Sequence, residues 1–496
     1  VPESNAFDVV VVGSGIAGLS AAVAAAQDGG RVALVERAPR EERGGQTRYT
    51  EAYLRMKSEE EVTDDFELHF ANNAGYYLDP DFIREAGRDY ESWSSLLKGH
   101  SFADTEVVAA LAAEAGPTIG WLKSLGVKFD FLPTQFLTKS QPRLLPVGGG
   151  AALIEALAAA AETLGIVSFY DTTARSLIQD EDGAVVGLVT VGKGNKTVRL
   201  MAPSVILGCG GFEGSAEMMT RYVGPRSVYL RPVCRGAYYN KGEGIQMALD
   251  IGAAPNGDFG SYHAEPIDPR SGVSEPSVFA FPYGILVNRE GVRFTDEAPG
   301  PVDANYENVT RKIYVQPEGI AYAIFDRRLK DVPNYRIALR TDQPAIEANT
   351  IAELAAKLDI PAEALEATVA AYNAACPTSG TFLPLEPDAL ATDGLTPQKS
   401  NWARPIDDGP FQAYPIISAN VFTFGGLKVD PNGRVLNRDG EPIPGLYAAG
   451  ETMGIYYKVY PGGTSVLKGA VFGRLSGQHA AKRCGAAKAH AASVPA

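Results

Sequence analysis

The sequence predicts an α/β fold, a parallel sheet wrapped by helices and interrupted by an inserted α+β unit. Three observations lead there. A buried strand, a glycine-rich turn and an alanine-rich helix open the chain within its first 27 residues. Glycine-edged apolar segments of the same style return at residues 205–212 and 445–451. Between them, residues 263–414 change character and carry many prolines and irregular loops. One domain is therefore expected in two pieces, 1–262 and 414–496, with a different domain inserted at 263–413.

Taken in order, residues 8–12 (DVVVV) read as a parallel strand apolar on both faces. Gly13, Gly15 and Gly18 follow: the first allows a tight turn, the second a close approach of backbone N–H groups to a pyrophosphate, the third close helix–strand packing. Ile16 and Ala17 start the helix, whose positive end favours phosphates. Residues 31–36 (RVALVE) form the next strand and end in Glu36, about 20 residues past the glycines, where an acid accepts from a ribose diol and repels a 2′-phosphate. A bare GxGxxG could be a turn without a ligand, but the complete strand–turn–helix–strand–acid run argues for a dinucleotide. Further on, residues 151–164 read as an amphipathic helix. Residues 167–169, 174–179, 184–191 and 196–201 alternate with period two, which predicts one small antiparallel sheet. The helical patterns Ile351–Leu358 and 361–374 lie in the inserted unit, and a helix over 465–483 precedes an alanine-rich tail expected to be loose.

With 496 residues the chain exceeds one small core, and 45% hydrophobic with 21% charged residues excludes a mainly disordered protein. Lys and Arg number 45 against 59 Asp and Glu, a net charge of −14 that makes nucleic acid and anionic membrane poor partners. Cys209, Cys234, Cys376 and Cys484 stand far apart without CxxC or Cys/His ligand spacing, so no metal site is expected and a reducing, cytoplasmic setting is. No apolar run approaches the roughly 20 residues that span a bilayer, and no export signal is visible at the start.

Several later segments resemble those of flavoproteins. Arg37 leads to a second glycine turn with a hydroxyl, Gly44, Gly45, Gln46 and Thr47. Residues 206–211 resemble an "ATGG" strand-to-turn, with Cys209 in place of Thr before Gly210 and Gly211. Residues 445–451 (GLYAAGE) resemble the segment whose Gly and Glu, here Gly450 and Glu451, meet the flavin's ribityl or diphosphate portion. Ser465, Val466 and Leu467 open the last helix, whose N–H groups point toward the flavin in such proteins. Together with Gly148, Gly149 and Gly150 and the runs 235–244 (RGAYYNKGEG), 287–294 (VNREGVRF) and 460–474, these motifs cover the whole chain. It resembles the flavoprotein superfamily of succinate dehydrogenase, fumarate reductase and L-aspartate oxidase. Within it, the likeness is to the branch of tricarballylate dehydrogenase and of 3-ketosteroid and other cyclic-ketone desaturases. The resemblance implies a Rossmann-like FAD-binding domain with a cap closing over the flavin. No His stands in a covalent-flavin context, so FAD is expected to be non-covalent, and no second GxGxxG suggests NAD(P)H.

The chain departs from fumarate reductases at three places. Residues 295–301 (TDEAPGP) lack their proton-donating Arg, residues 421–426 (VFTFGG) lack their His, and Tyr460 stands where they carry a clamping Arg. In ketosteroid desaturases a Tyr and a Gly of a similar "YPGxG" run hold the enolate oxygen, so Tyr460 and the Gly463 N–H inherit that role by resemblance. Abstracting an α-proton requires such stabilisation. A second group must accept that proton, and Tyr262, His263 and Tyr306 are the candidates. Arg143, Arg235 and Lys458, with Arg231, are candidates for holding a substrate carboxylate. The expected activity is α,β-desaturation of a small carbonyl compound, a cyclic ketone or keto acid, with hydride transfer to the flavin. The electron acceptor is left open between oxygen, a quinone and a redox protein. The rival readings are a tricarballylate-type polycarboxylate dehydrogenase, a fumarate-like reductase and the flavin subunit of an electron-transfer complex.

Overall fold

The structure, a computed structural model, describes residues 6–72, 79–132 and 143–493. Its centre is a six-stranded sheet in the order Arg434–Leu436, Pro442–Ala448, Ser204–Leu207, Val9–Val12, Val32–Val35, Val167–Phe169. All neighbours pair in parallel except the first two. Every residue of Val9–Val12 and Val32–Val35 is buried, as continuous apolar runs demand when helices cover both faces. The Ile16–Gln27 helix lies on one face against the last helix, Ser465–Ser493. The N- and C-terminal pieces thus share one sheet, as their matching glycine-edged style suggests.

Val167–Phe169 corrects the sequence reading. It joins the parallel sheet beside Val32–Val35 instead of the antiparallel one, which keeps only Thr173–Gln179, Val185–Val191 and Thr197–Met201. The preceding helix, Gly149–Thr163, returns the chain to the start of the sheet, and a strand after such a crossover pairs in parallel. Period-two alternation cannot reveal this, because an edge strand is half exposed in either sheet.

A second sheet is built around the 13-residue strand Phe411–Thr423. It pairs antiparallel with Tyr262–Ile267, Ile320–Phe325 and Ile346–Ala348, and parallel with Arg231–Pro232; Ile285–Asn288 extends it beyond Ile320–Phe325. The expected domain limits at 263 and 413 both fall inside strands of this sheet. The Val302–Tyr314 helix packs across Tyr262–Ile267 and Phe411–Thr423. Residues 302, 309, 310 and 313 of this helix repeat an inward face with helical spacing and are buried. The alanine-rich tail is helical as far as Ser493.

Candidate active site

One long cleft runs between the two sheets. Its first half is lined by the N-terminal fingerprint. Gly15 caps the Ile16–Gln27 helix with no side chain of its own, so apart from the Ile16 N–H the helix start keeps N–H groups for an anion. A Cβ on Gly15 would have only Gly44 O and Thr47 Oγ1, both 3.7 Å away, so its Cα faces open space. Gly13 has φ +98°, and a side chain there would meet the Cys209 backbone at 2.8 Å. Gly18 abuts the Gly13 carbonyl and lines no cleft; its role is helix–strand packing. The Glu36 carboxylate accepts from Ser14 N (2.8 Å), Ser14 Oγ (2.6 Å) and Ala38 N (2.7 Å), and still borders the cleft. Thr47 Oγ1 accepts from Ile16 N at 3.2 Å, and Gly44 N donates to Ser14 Oγ at 3.0 Å, so the second glycine turn is stitched to the first.

Other expected cofactor contacts divide into lining and supporting residues. Ile16, Ala17, Arg37, Gly45, Gln46, Gly210, Gly450, Glu451, Ser465 and Val466 line the cleft. Gly44, Gly148, Gly149, Gly150, Gly211 and Leu467 do not. Gly150 packs on the Thr47 carbonyl and donates to Thr50 O at 2.8 Å, so that glycine run holds the Thr47 turn from behind. Gly211 packs on Glu451 and Thr423, and Leu467 is core. Burial pushes the Cys209 thiol up to about 11, which suits a packing residue and not a redox thiolate. An uncapped helix start, a cradle kept free of side chains and an acid at the second strand's end fit an extended dinucleotide such as FAD.

The second half of the cleft gathers residues distant in sequence. Tyr306 Oη lies 3.0 Å from His263 Nε2, and His263 Nδ1 lies 3.1 Å from Glu307 Oε2. Arg311 donates to the other Glu307 oxygen at 2.9 and 3.2 Å. Burial alone would raise the Glu307 carboxyl, but His263 and Arg311 outweigh it and hold it below the usual range. The ionised Glu307 therefore accepts a hydrogen bond from His263 Nδ1–H, and Nε2 accepts from the Tyr306 hydroxyl. Burial pushes the Tyr306 phenol well above its ordinary value. A β-bulge between His263 and Ala264 interrupts the alternation of the strand, with His263 on the cleft side.

Tyr262, one residue earlier, points away. Its hydroxyl meets Ser418 Oγ at 3.3 Å, its ring packs edge-on against Tyr314, and it does not line the cleft. Successive strand residues face opposite sides, so Tyr262 and His263 could not both serve as base. Arg235 and Lys458 are also outside the cleft. Arg235 is exposed and clasps Glu42 at 2.8 and 3.0 Å, and Lys458 is exposed. Arg231 donates to Pro269 O at 3.1 Å outside the cleft.

Arg143 does line it, half-buried, and has no ion-pair or hydrogen-bond partner among the described residues. Its guanidinium stands 3.6 Å from where a Gly462 Cβ would be. Opposite it, Asp303 keeps a buried oxygen without a donor; burial raises its carboxyl, and Arg143 offsets part of that rise. Glu265 and Glu275 also border the cleft, both raised by burial.

Tyr460 sits among rings, 4.6 Å from His263, 4.9 Å from Phe422 and 5.4 Å from Tyr456, centroid to centroid. Its hydroxyl oxygen accepts from Thr464 N and Ser465 N, both at 2.8 Å, and donates to Ser465 Oγ at 3.0 Å. In this structure the phenol thus caps the last helix. The Gly463 N–H, by contrast, lines the cleft with no acceptor among the described residues. Glu307, Asp303 and Lys468 escaped the sequence reading. The first two share one helix face with Tyr306 at spacings of four, three and one residues, a signal that the helical period of 302–313 carries.

Comparison with known proteins agrees with this geometry. A family model described as FAD binding domain matches residues 8–467. Vinyl phenol reductase of Lactiplantibacillus plantarum is 28% identical, over 97% of this chain and 97% of that protein. The 4-oxocyclohexanecarboxylate 2-dehydrogenase of Sinomonas cyclohexanicum is 31% identical, over 70% of this chain and 64% of that one. Two further relatives are longer, the chain spanning 48% of one and 50% of the other. Among solved structures, a flavocytochrome c3 fumarate reductase in its open conformation superposes with a TM-score of 0.75 over 97% of this chain and 79% of that one, at 24% identity, a likeness of fold.

Proposed function

The chain belongs to the FAD binding domain family, within the flavoprotein superfamily of fumarate reductase and succinate dehydrogenase, and from that premise we propose that it desaturates a small carbonyl compound between its α- and β-carbons. It is an FAD-dependent oxidoreductase acting on CH–CH groups. The observation that carries the finer reading is the chain Tyr306–His263–Glu307, which ends at the aromatic wall beside an unpartnered Arg143.

The chemistry requires an acidified α-C–H and a place for its proton. Arg143 and the Gly463 N–H receive the substrate oxygen as negative charge develops on it, a term usually large in such barriers. Tyr460 joins them if its hydroxyl exchanges Ser465 Oγ for that oxygen. Tyr306 takes the α-proton as its own passes to His263 Nε2, and the imidazolium is stabilised by Glu307. Bound FAD supplies the two-electron acceptor for the β-hydride, so the substrate loses one proton and one hydride and gains a C=C bond. The second sheet and its helices act as the cap, excluding water from this half.

The cleft favours ketones and monoanionic keto acids over polycarboxylates. Among the described residues, its substrate half offers one guanidinium without a partner, Arg143, beside the carboxyls of Glu265, Glu275, Asp303 and Glu307. A second carboxylate would meet no further unpaired cation among the described residues there. The likeness to a dehydrogenase of 4-oxocyclohexanecarboxylate points to the same class.

A second reading has two observations in its favour. Burial keeps the Tyr306 phenol protonated, which equally suits a proton donor in C=C reduction, and a full-length relative is a vinyl phenol reductase. Anaerobic mixing of the oxidised holoprotein with cyclic ketones, 4-oxocyclohexanecarboxylate and tricarballylate separates the readings. Desaturation predicts bleaching of the flavin by the first two and not the third. Bleaching by tricarballylate alone, or reoxidation of pre-reduced enzyme by vinylphenols without bleaching by any ketone, overturns the proposal.

A further inference from the structure

We propose that Lys468 places a buried positive charge on the wall of the cofactor cleft that stabilises the reduced cofactor and so sets its reduction potential. The inference rests on FAD binding and not on the identity of the substrate. Lys468 lies in the first turn of the last helix, borders the cleft together with Ser465 and Val466, and is 2% exposed. Its Nζ donates to Met453 O at 3.0 Å and stands 4.3 Å over the Tyr456 ring. Both contacts are neutral, and the ammonium makes no salt bridge among the described residues.

The nearest acid is Glu451, whose oxygens already accept from Thr423 N (2.7 Å), Thr423 Oγ1 (3.0 Å) and Gln46 Nε2 (3.3 Å). Glu451 in turn faces Glu213, and burial raises both carboxyls, Glu213 well above its ordinary value. Neither acid therefore cancels the lysine fully. Burial lowers Lys468 to about 7, with Glu451 opposing. A lysine kept near neutrality in a dry wall gains a partner when two electrons enter the cleft. Negative charge arriving beside it favours its protonated form, and by reciprocity the protonated lysine favours reduction. The helix end adds only about half a charge at the same wall. Glu451 and Tyr456 are the groups that face the ammonium.

The test is a dye-equilibrated reductive titration of the FAD holoenzyme, comparing wild type with Lys468→Met and Lys468→Arg. Lys468→Met is expected to shift the oxidised-to-reduced ratio at fixed potential at least tenfold toward oxidised, about 30 mV for a two-electron couple. Lys468→Arg, which keeps the charge, should stay within threefold of wild type. A Lys468→Met potential within threefold of wild type overturns the proposal, as does an Arg variant shifted as far as Met. Should the Met variant not retain FAD, the wild type decides alone. Its potential must fall between pH 7 and 9 more steeply than one proton per electron pair allows, and a one-proton slope refutes the idea.

Discussion

Replacing Tyr306 by Phe removes one oxygen and little else. The ring keeps its edge contacts to Phe279 at 5.3 Å and His263 at 5.7 Å, so packing is conserved. What is lost is the hydroxyl 3.0 Å from His263 Nε2, the link between substrate and the His263–Glu307 pair. A positioned acid or base contributes about 10²- to 10⁴-fold. The lower end applies here, because Tyr306 lies half-buried at the cleft and a water could bridge the gap to His263. We expect flavin reduction to slow about a hundredfold, some 2.7 kcal/mol in the barrier. Stability should fall by about 1–3 kcal/mol, since His263, 3% exposed, loses a partner. Stopped-flow loss of oxidised-flavin absorbance with saturating ketone measures the rate, and thermal unfolding measures the second effect. Glu307→Gln should slow the same step by a smaller factor with FAD retained. If Tyr306→Phe reduces its flavin within threefold of wild type, the relay is not on the reaction path.

Two other outcomes follow from the same geometry. Arg143→Gln should weaken binding of a keto acid by roughly tenfold to a hundredfold, the range of a lost charge-assisted bond, as read by flavin difference spectra. Arg235→Gln should leave it unchanged, because that side chain is exposed and bound to Glu42. For pH, burial lowers Lys399 and Lys428 to about 8, below the 10.5 of an unfolded lysine. Between those values the unfolded chain binds more protons, so unfolding free energy rises with pH in that window and is lost again as pH falls through 8. Calorimetry should show Tm rising from pH 8 to 9.5, and Lys399→Met should reduce the slope.

The cofactor half of the cleft was legible because its determinants are local. The tight turn at Gly13, the helix start after Gly15 and the acid Glu36 just past the second strand all lie within 24 residues. Each is dictated by backbone sterics that leave a mark in residue type. The substrate half was legible only in part. His263, Tyr306, Tyr460 and Arg143 were named as candidates, but so were Tyr262, Arg235 and Lys458, which the fold turns elsewhere. Their chemistry is the same on paper; strand alternation at 262–263 and an ion pair between Arg235 and Glu42 decide between them.

The sequence by itself determined the family, the dinucleotide fingerprint, and that two distant glycine-edged segments share one sheet, since each follows from short-range pattern. Tertiary structure alone decided that Tyr306 meets His263 and that Glu307 backs it. It also decided that the Tyr460 hydroxyl rests on the last helix and that Lys468 is buried with no salt bridge among the described residues. Such facts depend on side-chain direction, across 43 and 44 residues for His263 with Tyr306 and Glu307 and across as few as 4 and 15 at Tyr460 and Lys468, and a strand's alternation or a helix's face is fixed only when the partner element packs against it.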